Sequence, residues 1–201
     1  MEGMAASRQG QESAQAPLRP THGAIHPALD RLLGSWQGIT ELAAGPWGPA
    51  HTVDAEVTYR RAAGGFAVVQ SYRHREPDGS HYEGHGVFTL DPDHRDVFWY
   101  YVDSTGTVPD TPTRCTWHDG VLRVERRGAA GWTRHSIRLA DGDTPAHSEG
   151  FRAVPFSETV LLHVTELRSA PRPGTGERAS ALANGKNPAF VPFMTSTFRR
   201  V

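Results

Sequence analysis

The sequence predicts an all-β protein: an antiparallel up-and-down β-barrel of about ten strands with a short N-terminal capping helix. Apolar and polar residues alternate with a period of two along most of the chain, and turn residues interrupt this pattern at regular intervals. Only one short segment has helical periodicity, so the chain lacks the helices needed to cover an open sheet. Closure into a barrel is therefore expected, because it removes exposed strand edges.

One short segment, residues 27–33, has the features of a helix. Pro27 suits the first helical turn, and Leu29, Leu32 and Leu33 fall on one helical face. Gly34 follows directly and can adopt the left-handed conformation that ends many helices. We therefore expect a short helix that covers an apolar end of the barrel.

The strand pattern is broken by Gly, Pro and Asp residues of the kinds found in turns. Asp119-Gly120, between Trp117 and Val121, is the clearest two-residue hairpin. The predicted strands are residues 36–42, 53–61, 66–76, 82–91, 97–103, 114–118, 121–127, 133–139, 147–152 and 159–168.

Composition divides the 201 residues into one domain with two flanking segments. Residues 1–25 are rich in Ala, Gln, Ser and Gly, and we expect a disordered arm. Residues 26–168 form the predicted barrel, and residues 169–201 form a Pro- and Gly-rich tail. Aromatic residues return at 188–201, and this segment either docks on the body of the protein or a neighbour, or remains loose.

Charge and composition argue against several classes of protein. The net charge is −1, with 21 basic and 22 acidic residues, so no nucleic-acid partner is expected. Cys115 is the single cysteine, which excludes an intrachain disulfide and fits a reducing compartment. The first residues lack a secretion signal and no apolar stretch reaches about 18 residues, so we expect a cytoplasmic protein that does not bind membranes.

Four segments together resemble a known family: HPAL (26–29), LGSWQG (33–38), GHGVFTLD (84–91) and WYYVDS (99–104). Their residues and spacing are similar to the bacterial domain of unknown function 1579, over roughly residues 26–168. The resemblance implies a lipocalin-like, calycin-type β-barrel and no particular activity. Gly34, Trp36 and Gly38 also resemble the first strand of fatty-acid-binding proteins and of haem-binding nitrobindins, although the rest of the chain departs from the nitrobindin pattern.

In barrels of this kind, the tryptophan of the first strand closes one end, often beneath an arginine from the final strand. The resemblance therefore assigns barrel closure to Gly34, Trp36 and Arg168, which ends the last predicted strand. A guanidinium stacked on a shielded indole contributes about 1–2 kcal/mol. Direct contact between Trp36 and a ligand is the alternative.

The strand at 97–103 is apolar on both faces, so two interpretations of its interior face are open. Trp99, Tyr101 and Asp103 share one face and either pack in an ordinary core or line a cavity. In the second case they supply a flat apolar wall with one polar anchor, and Phe88 extends the wall.

Two arginines on neighbouring strands are candidates for a second anchor. Arg123 or Arg134 could bind the carboxylate of an amphipathic ligand through paired N–H groups. The alternative is a solvated charged face, because Arg123, Glu125 and Arg127 alternate along one strand.

His163 lies among apolar residues of the last predicted strand, so its ring should be at least partly buried. A buried neutral imidazole needs a hydrogen-bond partner, unless a metal or haem iron binds its free nitrogen. The hydrogen-bonded alternative requires no cofactor. Motifs typical of catalysis are absent from the sequence, so no catalytic residue and no metal site is predicted, and whether the protein is an enzyme stays open.

These features support three functional hypotheses. The first is a barrel that binds a small apolar or amphipathic molecule in its interior. The second is a haem-binding barrel that uses His163 for gas sensing or isomerase-type detoxification. The third is a structural or dimerisation module whose interior is filled by side chains, in which a second subunit covers apolar outer faces.

Overall fold

The computed structural model describes residues 26–45, 48–91, 96–106, 111–128, 131–140, 159–169 and 189–201. Helix α1 spans Pro27–Leu32. The strands of these residues are β1 (Gly34–Leu42), β2 (His51–Ala62), β3 (Ala67–Arg75), β4 (His81–Leu90), β5 (Val97–Asp103), β6 (Thr113–Arg114), β7 (Thr116–His118), β8 (Val121–Gly128), β9 (Gly131–Ala140), β10 (Val160–Ser169) and β11 (Val191–Arg200). The predicted arm at 1–25, the predicted strand at 147–152 and residues 170–188 of the expected tail lie outside the described residues.

The strands form one antiparallel sheet that closes almost completely into a barrel. Neighbours in sequence pair from β1 to β5 and from β7 to β10, and β11 pairs with both β1 and β10. β6 pairs with β5 and β7 pairs with β8, and only Cys115 separates β6 from β7, so this kinked segment links the two edges. The predicted all-β antiparallel barrel is confirmed, with eleven strands in the described part of the chain.

Helix α1 covers one end of the barrel, as predicted. Pro27 occupies its first turn, and Leu29 and Leu32 are buried in the main core together with Trp36. We call the end of the barrel beside α1 the helix end and the opposite end the distal end. The described residues contain no helix with the length and apolar character needed to cross a bilayer.

The hairpin between β7 and β8 confirms the Asp119-Gly120 prediction. His118 pairs with Val121, which leaves these two residues as the loop. Asp119 has φ of 48° and Gly120 has φ of 75°. Two positive φ angles define the tight hairpin turn whose twist matches that of the flanking strands.

The predicted end of the barrel at residue 168 is wrong, because β11 belongs to the sheet. It pairs with β1 from Leu42↔Met194 to Trp36↔Arg200, and with β10 along its other edge. The register with β10 shifts after Thr165, next to the pairing of Glu166 with Pro192. Proline has no N–H to donate. Pro192 lies near the start of β11, beyond the last pair with β1, so the hydrogen bonds between β1 and β11 are not interrupted.

The predicted role of Arg168 is also wrong. Its guanidinium lies near the rings of Trp132 and Phe190, 5.2 Å and 4.5 Å from their centroids. Arg200 instead lies over Trp36, with the guanidinium carbon 4.4 Å from the ring centroid. The general rule of an arginine from the final strand therefore holds, but the final strand is β11.

The glycines of the first strand have separate roles. Gly34 joins α1 to β1 with φ of +124°, a conformation that other residues rarely adopt. Gly38 lies opposite Phe198, and a Cβ atom there would lie 1.9 Å from the carbonyl oxygen of Thr197. The absent side chain lets β11 approach β1 closely enough to complete the barrel.

Candidate functional site

The interior of the barrel is filled at the helix end. Alternate residues of each strand point inward, and the largest of them there are fully buried. They are Trp36, Tyr59, Phe88, Leu161 and Phe198. A cleft lined by residues such as Leu29, Phe66 and Leu90 lies beside α1, and its free volume of about 10 Å³ holds little more than one water molecule. Small-molecule pockets usually have about 300–1,000 Å³, so this cleft is too small to hold an organic ligand.

Trp99, Tyr101 and Asp103 face the interior along β5, as the alternation predicted. Trp99 is 1% exposed, and its ring centroid lies 5.6 Å from that of Phe88 and 4.8 Å from that of Tyr101. The structure thus brings the three predicted wall residues Phe88, Trp99 and Tyr101 together. Phe88 and Trp99 belong to the main core, and Tyr101 packs against it from the distal side.

Two glycines of β4 allow this aromatic arrangement. A Cβ on Gly84 would lie 1.7 Å from the Tyr101 hydroxyl oxygen, and a Cβ on Gly86 would lie 2.2 Å from the Trp99 Nε1 atom. The two inward-facing aromatic side chains of β5, Trp99 and Tyr101, therefore lie across the backbone of the neighbouring strand. The Gly-x-Gly sequence in β4 serves close packing and leaves the indole N–H directed into the barrel.

Phenolic hydroxyls form a cluster beyond Trp99. The hydroxyl oxygens of Tyr82 and Tyr101 are 3.2 Å apart, and the Tyr82 hydroxyl donates to Asp103 Oδ2 at 3.3 Å. Burial raises the pKa of Tyr101 to about 12. Tyr82 also has a raised pKa, chiefly because of burial. Both hydroxyls keep their protons at neutral pH and can donate hydrogen bonds.

His163 has the hydrogen-bond partner that a buried imidazole requires. Its Nε2 atom lies 3.2 Å from Nδ1 of His135, and Thr165 Oγ1 lies 3.3 Å from the same Nδ1. Burial lowers the pKa of His163 to about 4. Burial, the neighbouring His163 and the Arg126 cation hold the pKa of His135 well below its ordinary value. Both rings are neutral at pH 7, and iron ligation through His163 Nε2 would require this contact to break.

The interior cation of the site is Arg126, which was not among the predicted residues. Its guanidinium carbon lies 5.6 Å from the ring centroids of both Trp99 and Tyr101. The signal was present in the sequence, because Arg126 shares a strand face with the apolar residues Leu122 and Val124.

The predicted anchors Arg123 and Arg134 lie on the outer face of the barrel, so that assignment is wrong. Arg123 donates to Ser136 Oγ at 3.4 Å. Arg134 pairs with Glu125 at 2.9 Å and with Glu166 at 3.5 Å. The sequence left a charged outer face as the alternative, and these contacts fit it, although Arg134 and Glu166 are mostly shielded from solvent.

A second polar chain runs from the rim of the distal end into the interior. Glu76 accepts one hydrogen bond from His51 and one from His74, each at 2.8 Å and each on a different oxygen. His74 Nδ1 lies 2.8 Å from the Tyr72 hydroxyl, which lies 3.0 Å from Thr40 Oγ1. Sequence reasoning missed this chain because residues 25 positions apart, His51 and Glu76, meet only through strand register.

Metal coordination has no support in the described residues, which contain no group of three or more His, Cys, Asp or Glu side chains suited to a metal ion. The distal interior instead combines aromatic rings, neutral histidines, phenolic hydroxyls and one guanidinium. Such a set can bind an organic molecule by packing and hydrogen bonding.

The fold and site define an antiparallel barrel protein that is filled beside its helix and polar-aromatic in its distal interior. A family model described as "Protein of unknown function (DUF1579)" matches residues 21–146, more than half of the chain. The chain belongs to this family, as its four sequence segments predicted. The matched region ends before β10 and β11.

Comparison with curated proteins finds no match. Among solved structures, the crystal structure of Rv2717c from M. tuberculosis is similar, with a TM-score of 0.53 and 16% sequence identity. The alignment covers 89% of this chain and 99% of that one. This likeness concerns the fold alone. The more distant resemblances to fatty-acid-binding proteins and nitrobindins stay predictions.

Proposed function

We propose that the protein binds a small amphipathic carboxylate in the distal half of its barrel. The observation that carries this proposal is the position of Arg126, whose guanidinium lies equally far from the rings of Trp99 and Tyr101. A cation beside two flat apolar surfaces is complementary to a molecule with an apolar body and an anionic head. The family is of unknown function, so the ligand class is inferred from this chemistry alone.

The apolar part of the ligand would contact Trp99 and Tyr101. Aromatic side chains of this kind supply large contact areas and favour offset or edge-to-face contact with other rings. His135 adds a third ring, 4.7 Å from Trp99 between centroids and nearly perpendicular to it. Because the helix end is filled by fully buried side chains, the ligand is confined to a compact molecule.

The anionic part of the ligand would pair with Arg126. A guanidinium can donate two parallel hydrogen bonds to a carboxylate, which fixes both position and orientation. The positive charge of Arg126 already acts on its neighbours. It contributes to the lowered pKa of His135, and it partly offsets the rise that burial causes in the pKa of Tyr101. The two neutral histidines add no competing positive charge.

Isothermal titration with 2-naphthoate and its uncharged methyl ester tests this function. Arg126→Met should weaken 2-naphthoate binding roughly 10- to 100-fold, as expected for loss of a charge-assisted hydrogen bond. Arg127→Met is the matched control, because Arg127 is exposed on the opposite face of β8 and should leave binding unchanged.

The methyl ester should bind the wild-type protein more weakly than the acid does. Its affinity should be the same for the wild type and for Arg126→Met. If 2-naphthoate does not bind, or if Arg127→Met weakens binding as much as Arg126→Met, the proposal fails. Absence of binding would favour the third hypothesis, a filled barrel with a structural role.

A further inference from the structure

Two buried polar atoms at the base of the candidate site have no hydrogen-bond partner among the residues that the structure describes. They are the indole Nε1 of Trp99 and the side-chain oxygen Oε1 of Gln70. Both residues are only 1% exposed, so water outside the barrel does not reach these atoms. Buried donors and acceptors are nearly always paired in proteins, and each exception calls for an explanation.

The two atoms lie side by side over the same backbone position. Gln70 on β3 is paired with Gly86 on β4, and the Trp99 indole leans across the same glycine. A Cβ on Gly86 would lie 2.2 Å from Trp99 Nε1 and 2.6 Å from Gln70 Oε1. The donor and the acceptor are therefore less than about 5 Å apart, close enough for a single group that both accepts and donates to satisfy them.

The amide of Gln70 is held in this orientation. Its Nε2 atom donates to the hydroxyl of Tyr59 at 3.1 Å, and Tyr59 is itself fully buried. This bond uses the nitrogen side of the amide and leaves the oxygen side facing the indole. The indole N–H and the amide oxygen thus form an oriented donor and acceptor pair, which fits a group that can both accept and donate a hydrogen bond.

We infer that Trp99 Nε1 and Gln70 Oε1 form a subsite for the hydroxyl group of an aromatic ligand. The hydroxyl oxygen accepts from the indole N–H, and the hydroxyl hydrogen donates to the amide oxygen. A methoxy group can accept but cannot donate, and an unsubstituted ring can do neither. The rings of Phe88 and Trp99 beside the subsite favour an aromatic carrier of the hydroxyl. This inference rests on the proposed function, since Trp99 belongs to the same wall.

Uncharged probes separate this inference from the role of Arg126. The experiment compares 2-naphthol, 2-methoxynaphthalene and naphthalene by isothermal titration and by the indole ¹H–¹⁵N resonance of Trp99, assigned through Trp99→Phe. We expect 2-naphthol to bind roughly 10- to 100-fold more tightly than the other two probes. Its binding should shift the Trp99 indole proton downfield, as hydrogen-bond formation requires.

Gln70→Met, which keeps the length of the side chain, should remove the preference for 2-naphthol. Gln37→Met on the exposed face of β1 makes the same chemical change and should not. Equal binding of the three probes, no binding of 2-naphthol, or an unchanged indole resonance at saturation would overturn the subsite. The last result would show that the indole N–H already has a partner such as a bound water, which removes the premise of the subsite. Binding of 2-naphthoate that depends on Arg126 would survive each of these outcomes, so the two proposals can fail separately.

Discussion

The guanidinium of Arg200 lies over the indole of Trp36 and also binds the end of helix α1. Its two terminal nitrogens donate to the carbonyl oxygens of Leu33 and Arg31, at 2.9 Å and 3.0 Å. Trp36 Nε1 donates to the carbonyl of Leu32 at 2.8 Å. Three successive carbonyls at the end of a helix, which have no partners within the helix, are thereby satisfied by the two strands that close the barrel.

Removal of the Arg200 guanidinium should loosen the helix end. We expect Arg200→Met to lower the free energy of unfolding by about 1–2 kcal/mol, because it loses two hydrogen bonds and the contact with Trp36. Arg200→Lys keeps the charge but not the forked geometry, so its free energy of unfolding should lie between those of the wild type and Arg200→Met. Urea denaturation measures the effect. Arg199→Met, in an exposed neighbour, should match the wild type, and an equal loss there would contradict the assignment.

A methyl group at Gly86 should displace the aromatic wall. In Gly86→Ala the new Cβ would lie within 2.6 Å of both Trp99 Nε1 and Gln70 Oε1, so one of these buried side chains must move. We expect a loss of about 1–3 kcal/mol in the free energy of unfolding, as overpacking of a core usually causes. Near-ultraviolet circular dichroism reports the indole. His85→Ala, on the outer face of the same strand, should change neither quantity.

The neutral pair His135 and His163 should make the protein sensitive to acid. Because burial lowers the pKa of His163 from 6.5 to about 4, this residue does not destabilise the folded state above pH 6.5. Stability is then lost as the pH falls from 6.5 to about 4, by about 2–3 kcal/mol for this residue.

His163→Gln, which cannot be protonated, should flatten this part of the profile in urea denaturation at successive pH values. His85→Gln, in an exposed histidine, should retain the slope of the wild type. An unchanged slope in His163→Gln would show that other groups cause the acid sensitivity.

The Glu76 bridge should have a different pH window. The pKa of His51 is raised, first by its bond to the carbonyl of Pro49 and then by Glu76. Burial opposes ionisation of Glu76, but the hydrogen bonds from His74 and His51 lower its pKa overall. The contribution of His51 is complete below pH 6.5 and is lost as the pH rises through its raised pKa. That of Glu76 is complete above pH 4.5 and is lost as the pH falls through its lowered pKa.

Glu76→Gln should therefore reduce stability most between about pH 4.5 and 6.5. In the same variant, NMR titration of the His51 ring should show a fall in its pKa, incomplete because the Pro49 bond remains. Glu56→Gln breaks only an exposed pair with Arg73 and is the matched control. If His51 titrates as in the wild type, the bridge does not form in solution.

Strand alternation predicted much of the site. It placed Trp99, Tyr101 and Asp103 inward, and the same rule applied to β8 would have selected Arg126 in place of Arg123. The two arginines are three positions apart, and an odd separation places side chains on opposite faces of a strand. Arg123 shares its strand face with charged residues, which is typical of an outer face. Arg126 shares its face with apolar residues, and this is the feature that indicates an interior position.

The closing strand was harder to predict. β11 contains Pro192 and follows a Pro- and Gly-rich region, both of which ordinarily indicate a loop. Its fit depends on the shift in register near Thr165 and on the missing side chain of Gly38, and neither is visible until the strands are paired. Assigning the stacked arginine to Arg168 followed from that single omission.

The position of β11 between β1 and β10 affects how the chain matures during synthesis. β1 leaves the ribosome early, but one of its edges has no described partner until residues 191–200 emerge. That edge of β1 therefore stays unpaired through most of translation, and the edge of β10 joins it once residues 160–169 have emerged, so both can pair with other chains. Ribosome stalling before residue 191 should yield a nascent chain that binds chaperones and is cleaved readily by proteases, and release of the final strand should end both.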